Sequence, residues 1–131
     1  MSAPSLSSAS KTIMVVDDDE AFRTVVCEVL ESAGYRILVA PNALEALQIN
    51  KTFHGRIDLV LIDVILPLMS GIALAEQIRR RRPVRLLMMS GQADAIAKAA
   101  ARTPDVRVIP KPLTQDALLR EVRHVLGATI G

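Results

Sequence analysis

Two wholly apolar runs in this chain stop abruptly at acidic residues: IMVV (13–16) runs into Asp17-Asp18-Asp19, and LVLI (59–62) runs into Asp63. A strand with no polar alternation must be covered on both faces, and sheets of that kind are parallel, with helices packed above and below. The rest of the chain conforms. RILVA (36–40), VRLLMMS (84–90) and VRVIP (106–110) read as three more strands, and the third strand of the series lies within DLVLIDV (58–64). Helical patterns separate them. Phe22, Val25, Val26, Val29, Leu30 and Ala33 recur at helical spacing, and Gly34 supplies the stop. Asn42 suits the N-cap of a helix reaching Thr52, with Leu44, Leu47 and Ala43 on its apolar face. Ser70 caps a helix that turns Ile72, Leu74, Ala75 and Ile78 inward and breaks at Pro83. An Ala-rich helix spans 92–102, and Thr114 caps a last one with Leu118, Leu119, Val122, Val125 and Leu126 inward. Strand and helix alternate five times. That pattern predicts an α/β fold: a doubly wound parallel sheet of five strands with five helices on its two faces.

Composition narrows what such a domain can do. At 131 residues there is room for one domain, expected at 12–127, with 1–11 a disordered Ser-rich tail or linker and 128–131 a C-terminal tail. Aromatic residues make up 2% and there is no Trp, so the core is aliphatic and no ring platform for single-stranded nucleic acid exists. The net charge of +2 is too weak to imply nucleic acid by itself, and no direct nucleic-acid contact is expected. The dense cluster Arg79-Arg80-Arg81-Arg82 reads as the solvated, charged end of a helix rather than a phosphate site. One cysteine, Cys27, excludes an internal disulfide and a Cys-based zinc site, and a structural role suits it best. No apolar run approaches the roughly 18 residues that span a membrane, and no secretory signal opens the chain, so a cytoplasmic location is expected. His54 and His124 lie off the strand ends and read as surface residues.

In a doubly wound sheet, ligands sit at the carboxyl ends of the strands. Asp17 and Asp18 follow strand 1, Asp63 ends strand 3, Ser90 ends strand 4, and strand 5 leads to Lys111. Carboxylates brought together repel one another unless a cation lies between them. An oxygen-rich site with few protein ligands suits Mg²⁺ better than zinc. Lysine supplies a point charge for a carboxylate or a phosphoryl oxygen, and serine one hydrogen bond. Other phosphate chemistries lack their motifs. No Gly-x-x-x-x-Gly-Lys-Ser/Thr or Gly-x-Gly-x-x-Gly follows the first strand, and Ser90 sits in MMSGQ rather than on a nucleophile elbow. Asp19 takes the place of Asp18 if strand 1 ends one residue later; otherwise it opens the next helix, where the dipole favours an acid.

VVDDDEAFR (15–23), LVLIDVILPLMSG (59–71), MMSG (88–91) and IPKPL (109–113) occur in order and correctly spaced. Together they resemble the receiver domain of response regulators in two-component signalling, over about residues 12–126. The resemblance implies the flavodoxin-like strand order 2-1-3-4-5, with Asp63 as phospho-acceptor and Ser90 and Lys111 steadying the product. It implies Mg²⁺ held by Asp18, Asp63 and the backbone carbonyl of Ile65, with Asp17 acting mainly through water, and a cis Lys111-Pro112 bond. It also implies a sensor histidine kinase or phosphotransfer protein as donor. A downstream protein partner would meet helix 4, strand 5 and helix 5, around Ala95, Lys98, Ala99, Arg107 and Arg123. Such a chain is expected to be a signalling module rather than an enzyme, a monomer or weak dimer, either stand-alone or part of a hybrid kinase or larger regulator. Two other classes compete with this reading. A Mg²⁺-dependent phosphatase with an aspartyl intermediate commonly carries Asp-x-Asp, where this chain has Asp63-Val64-Ile65; a phosphorylation-silent interaction domain would not need the intact constellation. The chain departs from the family at Val108, where Tyr or Phe is usual, and at Gly91, where Ala is usual. Val108 removes the large ring whose burial commonly reports phosphorylation, which predicts a smaller response concentrated in the loop after Ser90; the alternative is that Val108 simply packs as strand core and another residue carries the signal.

Overall fold

A computed structural model of the chain describes residues 11–127, so the expected tails lie outside the described residues except for Lys11. Strands β1 (Thr12–Val16), β2 (Arg36–Ala40), β3 (Leu59–Asp63), β4 (Arg85–Ser90) and β5 (Arg107–Pro110) form one sheet in the order β2-β1-β3-β4-β5. All four pairings are parallel. Helices α1 (Glu20–Ser32), α2 (Ala43–Thr52), α3 (Gly71–Arg81), α4 (Ala93–Arg102) and α5 (Gln115–Gly127) connect and cover them. The predicted fold and strand order are the observed ones.

The alternation of side chains along each strand explains why the central runs carry no polar residue. Val60 and Ile62 of β3 enter a core with α2, α3 and α4, while Leu59 and Leu61 enter a second core with α1 and α5. Met14 and Val16 against Ile13 and Val15 repeat the division in β1. Helix ends follow the expected chemistry. The side chains of Asn42, Ser70 and Thr114 accept the backbone N–H of Glu45, Ala73 and Ala117. After α1, Gly34 adopts φ 98°; its N–H reaches the Glu31 carbonyl and that of Tyr35 the Leu30 carbonyl, the paired closure that a left-handed glycine permits.

Three expectations about exposure are corrected. Leu44 is 66% exposed, because α2 turns its small residues Ala43 and Ala46, with Asn50, toward the sheet. Val25 is 52% exposed, at the edge of an α1 stripe centred on Val26, Val29 and Leu30. The arginine cluster is only partly solvated. Arg79 pairs with Asp105, and Arg82, at the C-cap of α3, donates to the carbonyls of Asn50 (2.7 Å), Phe53 (2.9 Å) and Gly55 (3.0 Å). It thereby satisfies carbonyls that the end of α2 leaves without helical partners. Arg80 and Arg81 are exposed, as expected.

Asp58 is a structural acid that the strand pattern does not reveal. It is buried, accepts the Thr12 N–H at 2.8 Å and pairs with Arg56 at 2.9 Å, and so ties the start of β1 to the approach of β3. Removing one partner of such a bond leaves a buried N–H unsatisfied. Asp58→Ala is expected to cost about 1–3 kcal/mol, read as a lower urea midpoint at unchanged slope.

Candidate functional site

The chain crosses from strand to helix at Asp17-Asp18-Asp19, and each aspartate is held differently. Asp17 is fully buried; one oxygen accepts the Asp19 N–H at 2.9 Å and the other accepts from Lys111 Nζ at 2.8 Å. Asp19 is the N-cap of α1 and accepts the Phe22 N–H at 3.2 Å. Because β1 ends at Val16 and Asp19 is engaged in capping, Asp18 is the residue whose exposed carboxylate joins the others. Carboxylate oxygens of Asp17, Asp18 and Asp63 lie within 4.8 Å of one another.

Asp63 closes β3 opposite Met89 of β4, one residue beyond the Val16–Ile62 pairing with β1. One oxygen accepts the Ile65 N–H at 2.9 Å and the other the Lys111 ammonium at 2.6 Å. Ser90, at the end of β4, is buried, and its Oγ accepts the Gln92 N–H at 3.1 Å, so its own proton remains available to another acceptor. Lys111 is brought in from the far strand by its N–H bond to the Ser90 carbonyl (2.8 Å), and the following Lys111-Pro112 bond is cis. Asp18, Asp63, Ile65, Ser90 and Lys111 line an open cleft of about 580 Å³. Every residue singled out from the sequence for this rim is therefore present on it, Asp17 lying just beneath.

The electrostatics follow from burial. Desolvation pushes the Asp17 carboxyl above its usual range, and the Lys111 hydrogen bond and charge oppose that rise without cancelling it. Desolvation pulls the Lys111 ammonium down, but its bonds to Asp17 and Asp63 outweigh that pull and leave it above the ordinary lysine range. Lysine is therefore charged, and it neutralises part of the repulsion within the acidic cluster. Away from the cleft, burial and then Glu31 raise the Cys27 thiol, in keeping with an inert role.

Two contacts at this site escaped the sequence reading. Arg23 Nη1 donates to the Asp17 carbonyl at 2.8 Å, and the Phe22 ring faces the Lys111 ammonium. Both residues belong to the first turn of α1, and their distance in sequence from the acids, one helical turn, was the available signal. The expected output face is also revised. Ala99 is buried on the inner side of α4 and Ala95 is partly covered, whereas Lys98, Arg107 and Arg123 are exposed, Arg107 in an ion pair with Glu121 at 2.7 Å. Val108 is half-buried and packs against the core beneath α2, α3 and α4.

Comparison with known proteins agrees with this geometry. The family model for the response regulator receiver domain matches residues 13–123. The chain is 32% identical to the sensor kinase CckA of Brucella abortus over 91% of its own length and 13% of that protein. It is also 32% identical to the phosphate regulon regulatory protein PhoB of Pseudomonas aeruginosa, over 91% of this chain and 53% of that one. The chain thus spans about half or less of these relatives. Among solved structures, a receiver domain from Methanospirillum hungatei superposes with a TM-score of 0.79 at 30% identity, covering 88% of this chain and 93% of the other. The Thermotoga maritima regulator TrrA, solved in complex with Mg²⁺-BeF, gives 0.74 at 30% identity over 88% and 98%. An acid-rimmed cleft at the ends of β1 and β3, a lysine bridging it and a family match over the folded domain have one reading: the chain belongs to the response regulator receiver domain family.

Proposed function

We propose that this domain accepts a phosphoryl group on Asp63 from a phosphohistidine of a sensor kinase or phosphotransfer protein, with Mg²⁺, and passes the signal to a downstream protein. The observation that carries the reading is the convergence of three carboxylates within 4.8 Å on an open cleft whose lysine already contacts two of them. In the transfer an oxygen of Asp63 bonds to phosphorus as the bond from phosphorus to the imidazole nitrogen breaks. The imidazole leaves with the electron pair. No protein group needs to move a proton in this step, so the protein's part is positioning and charge compensation. The Ile65 N–H holds the acceptor carboxylate in place at 2.9 Å. Lys111 follows the charge from Asp63 to the phosphoryl oxygens, and Ser90 donates its free proton to one of them.

The donor set fits a small hard cation: all oxygen, few protein ligands and room for water. Asp18 and Asp63, with the Ile65 carbonyl, would hold it, and Asp17 would act through water. When bound, the ion neutralises phosphoryl charge. The aspartyl-phosphate then carries about −1.5 to −2 at the rim. Ser90 and Lys111 connect that charge to α4, β5 and α5, the face proposed to meet the partner. Among the described residues no helix is long and apolar enough to cross a membrane, and a cytoplasmic location is proposed with the rest.

Titration with Mg²⁺ followed by amide shifts tests the metal assignment; shifts are expected around Asp18 and Asp63, and their absence there excludes it. The same spectra with beryllofluoride, a phosphoryl mimic, test the path to the output face. Val108 is a branched aliphatic with few χ1 options. Large changes are therefore expected in the loop from Ser90 to Ala95 and small ones at 106–109, whereas Val108→Tyr is expected to enlarge the latter. Equal, large changes at 106–109 in both proteins would show that the ring is irrelevant.

A further inference from the structure

Lys111 has a third contact that phosphoryl transfer, as proposed above, does not use. The centroid of the Phe22 ring lies 4.1 Å from the ammonium nitrogen, which at the same time bonds Asp17 at 2.8 Å and Asp63 at 2.6 Å. A cation over an aromatic face at that distance is attracted by the ring quadrupole. The ring is held there by its backbone. Asp19 caps the Phe22 N–H, and the neighbouring Arg23 donates to the Asp17 carbonyl at 2.8 Å, so the first turn of α1 is fastened to the acidic end of β1 from two sides. Phe22 also packs against the core beneath α1 and α5. In a chain with two phenylalanines, one tyrosine and no tryptophan, one of three rings stands over the charged group of the acceptor site.

Apolar packing alone would explain a buried ring, but not one that faces an ammonium. The carboxylates are changeable partners: Asp63 loses its carboxylate charge when its oxygen forms the acyl phosphate, and Asp17 lies next to the proposed cation. The ring face is indifferent to both events. We propose that Phe22 is a positioning residue for Lys111, keeping the ammonium at the rim while its carboxylate partners are exchanged for phosphoryl oxygens. This rests on the acceptor role of Asp63.

The test compares Phe22→Leu, which keeps apolar bulk, with Phe22→Tyr, which keeps the ring. Two quantities are read: the rate of labelling by acetyl phosphate, and the Lys111 ε-methylene resonances in the metal-free protein, identified from their loss in Lys111→Met. Wild type and Phe22→Tyr are expected to show ring-shifted Lys111 protons and similar rates. Phe22→Leu is expected to lose the shift and to label about three- to ten-fold more slowly, as a half-buried cation–π contact implies. In a Lys111→Met background the leucine substitution should add no further slowing. Phe22→Leu labelling at the wild-type rate, or slowing equally in the Lys111→Met background, overturns the proposal. The resonance separates the two possible failures. A ring-shifted Lys111 in a chain that takes no label overturns the acceptor reading alone. An unshifted Lys111 in a chain that does take label overturns the role of Phe22 alone.

Discussion

Asp63→Asn is expected to reduce labelling by acetyl phosphate to background while leaving the fold intact. The amide is nearly isosteric with the carboxylate, so β3 and the core beneath it are not disturbed. Its carbonyl oxygen can still accept the Ile65 N–H that now reaches Asp63 at 2.9 Å. What it lacks is a nucleophilic oxygen bearing charge. The neighbouring carboxylates do not substitute. Asp17 is fully buried, with both oxygens already hydrogen-bonded, and Asp18 is carried by the loop before α1 rather than by the end of β3. Intact-mass measurement counts phosphoryl groups directly, with circular dichroism as the check on folding. Labelling of the variant at the wild-type level would place the acceptor elsewhere.

Gly71→Ala is expected to be among the most destabilising single changes available to this domain. A Cβ at that position would fall on the Asp63 carbonyl oxygen and come within 2.9 Å of Val64 Cα and Ile62 Cγ2. Two of those three atoms are backbone and cannot swing aside. The approach is close because the Gly71 N–H bonds the Val64 carbonyl at 2.8 Å, pinning the start of α3 against the end of β3. Overpacking of this kind costs typically 1–3 kcal/mol and at rigid sites more, so a loss of about 3 kcal/mol is expected, with a fall in Tm of roughly 10 °C. Gly127→Ala is the control, since nothing lies within 4 Å of a Cβ there. Because the displaced backbone carries Asp63, labelling should fall in the Gly71 variant even at temperatures where it remains folded. A variant with unchanged Tm and labelling would mean that β3 and α3 can separate without consequence.

The fold was legible because the strongest physical constraint, burial on both faces of the central strands, writes itself as uninterrupted apolar runs. The acids at the ends of two of those runs then located the rim, since a carboxylate at that position has no packing role. Other features were illegible for equally physical reasons. Which side of α2 faces the sheet depends on how closely the helix approaches, and small Ala43 and Ala46 allow an approach that Leu44 would block. The grip of Arg82 on three carbonyls of the α2 end is a contact between segments about 30 residues apart, with no local pattern to announce it. Asp58 precedes an apolar run just as Asp63 ends one, yet it lies at the amino end of the sheet, where an acid anchors backbone instead of facing a ligand.

The run Asp17-Asp18-Asp19 looks like redundancy, and the structure makes it a division of labour. One carboxylate anchors a lysine under the surface, the next is offered to solvent, and the third closes a helix. None has a deputy, because each is committed to different partners. Three identical letters are thus three unrelated mutational targets. Loss of Asp17 would leave the Lys111 ammonium with one carboxylate instead of two, loss of Asp18 would thin the acidic cluster, and loss of Asp19 would loosen the turn that carries Phe22 and Arg23. A single-residue deletion within the run would be worse than any substitution, since it would reassign all three at once.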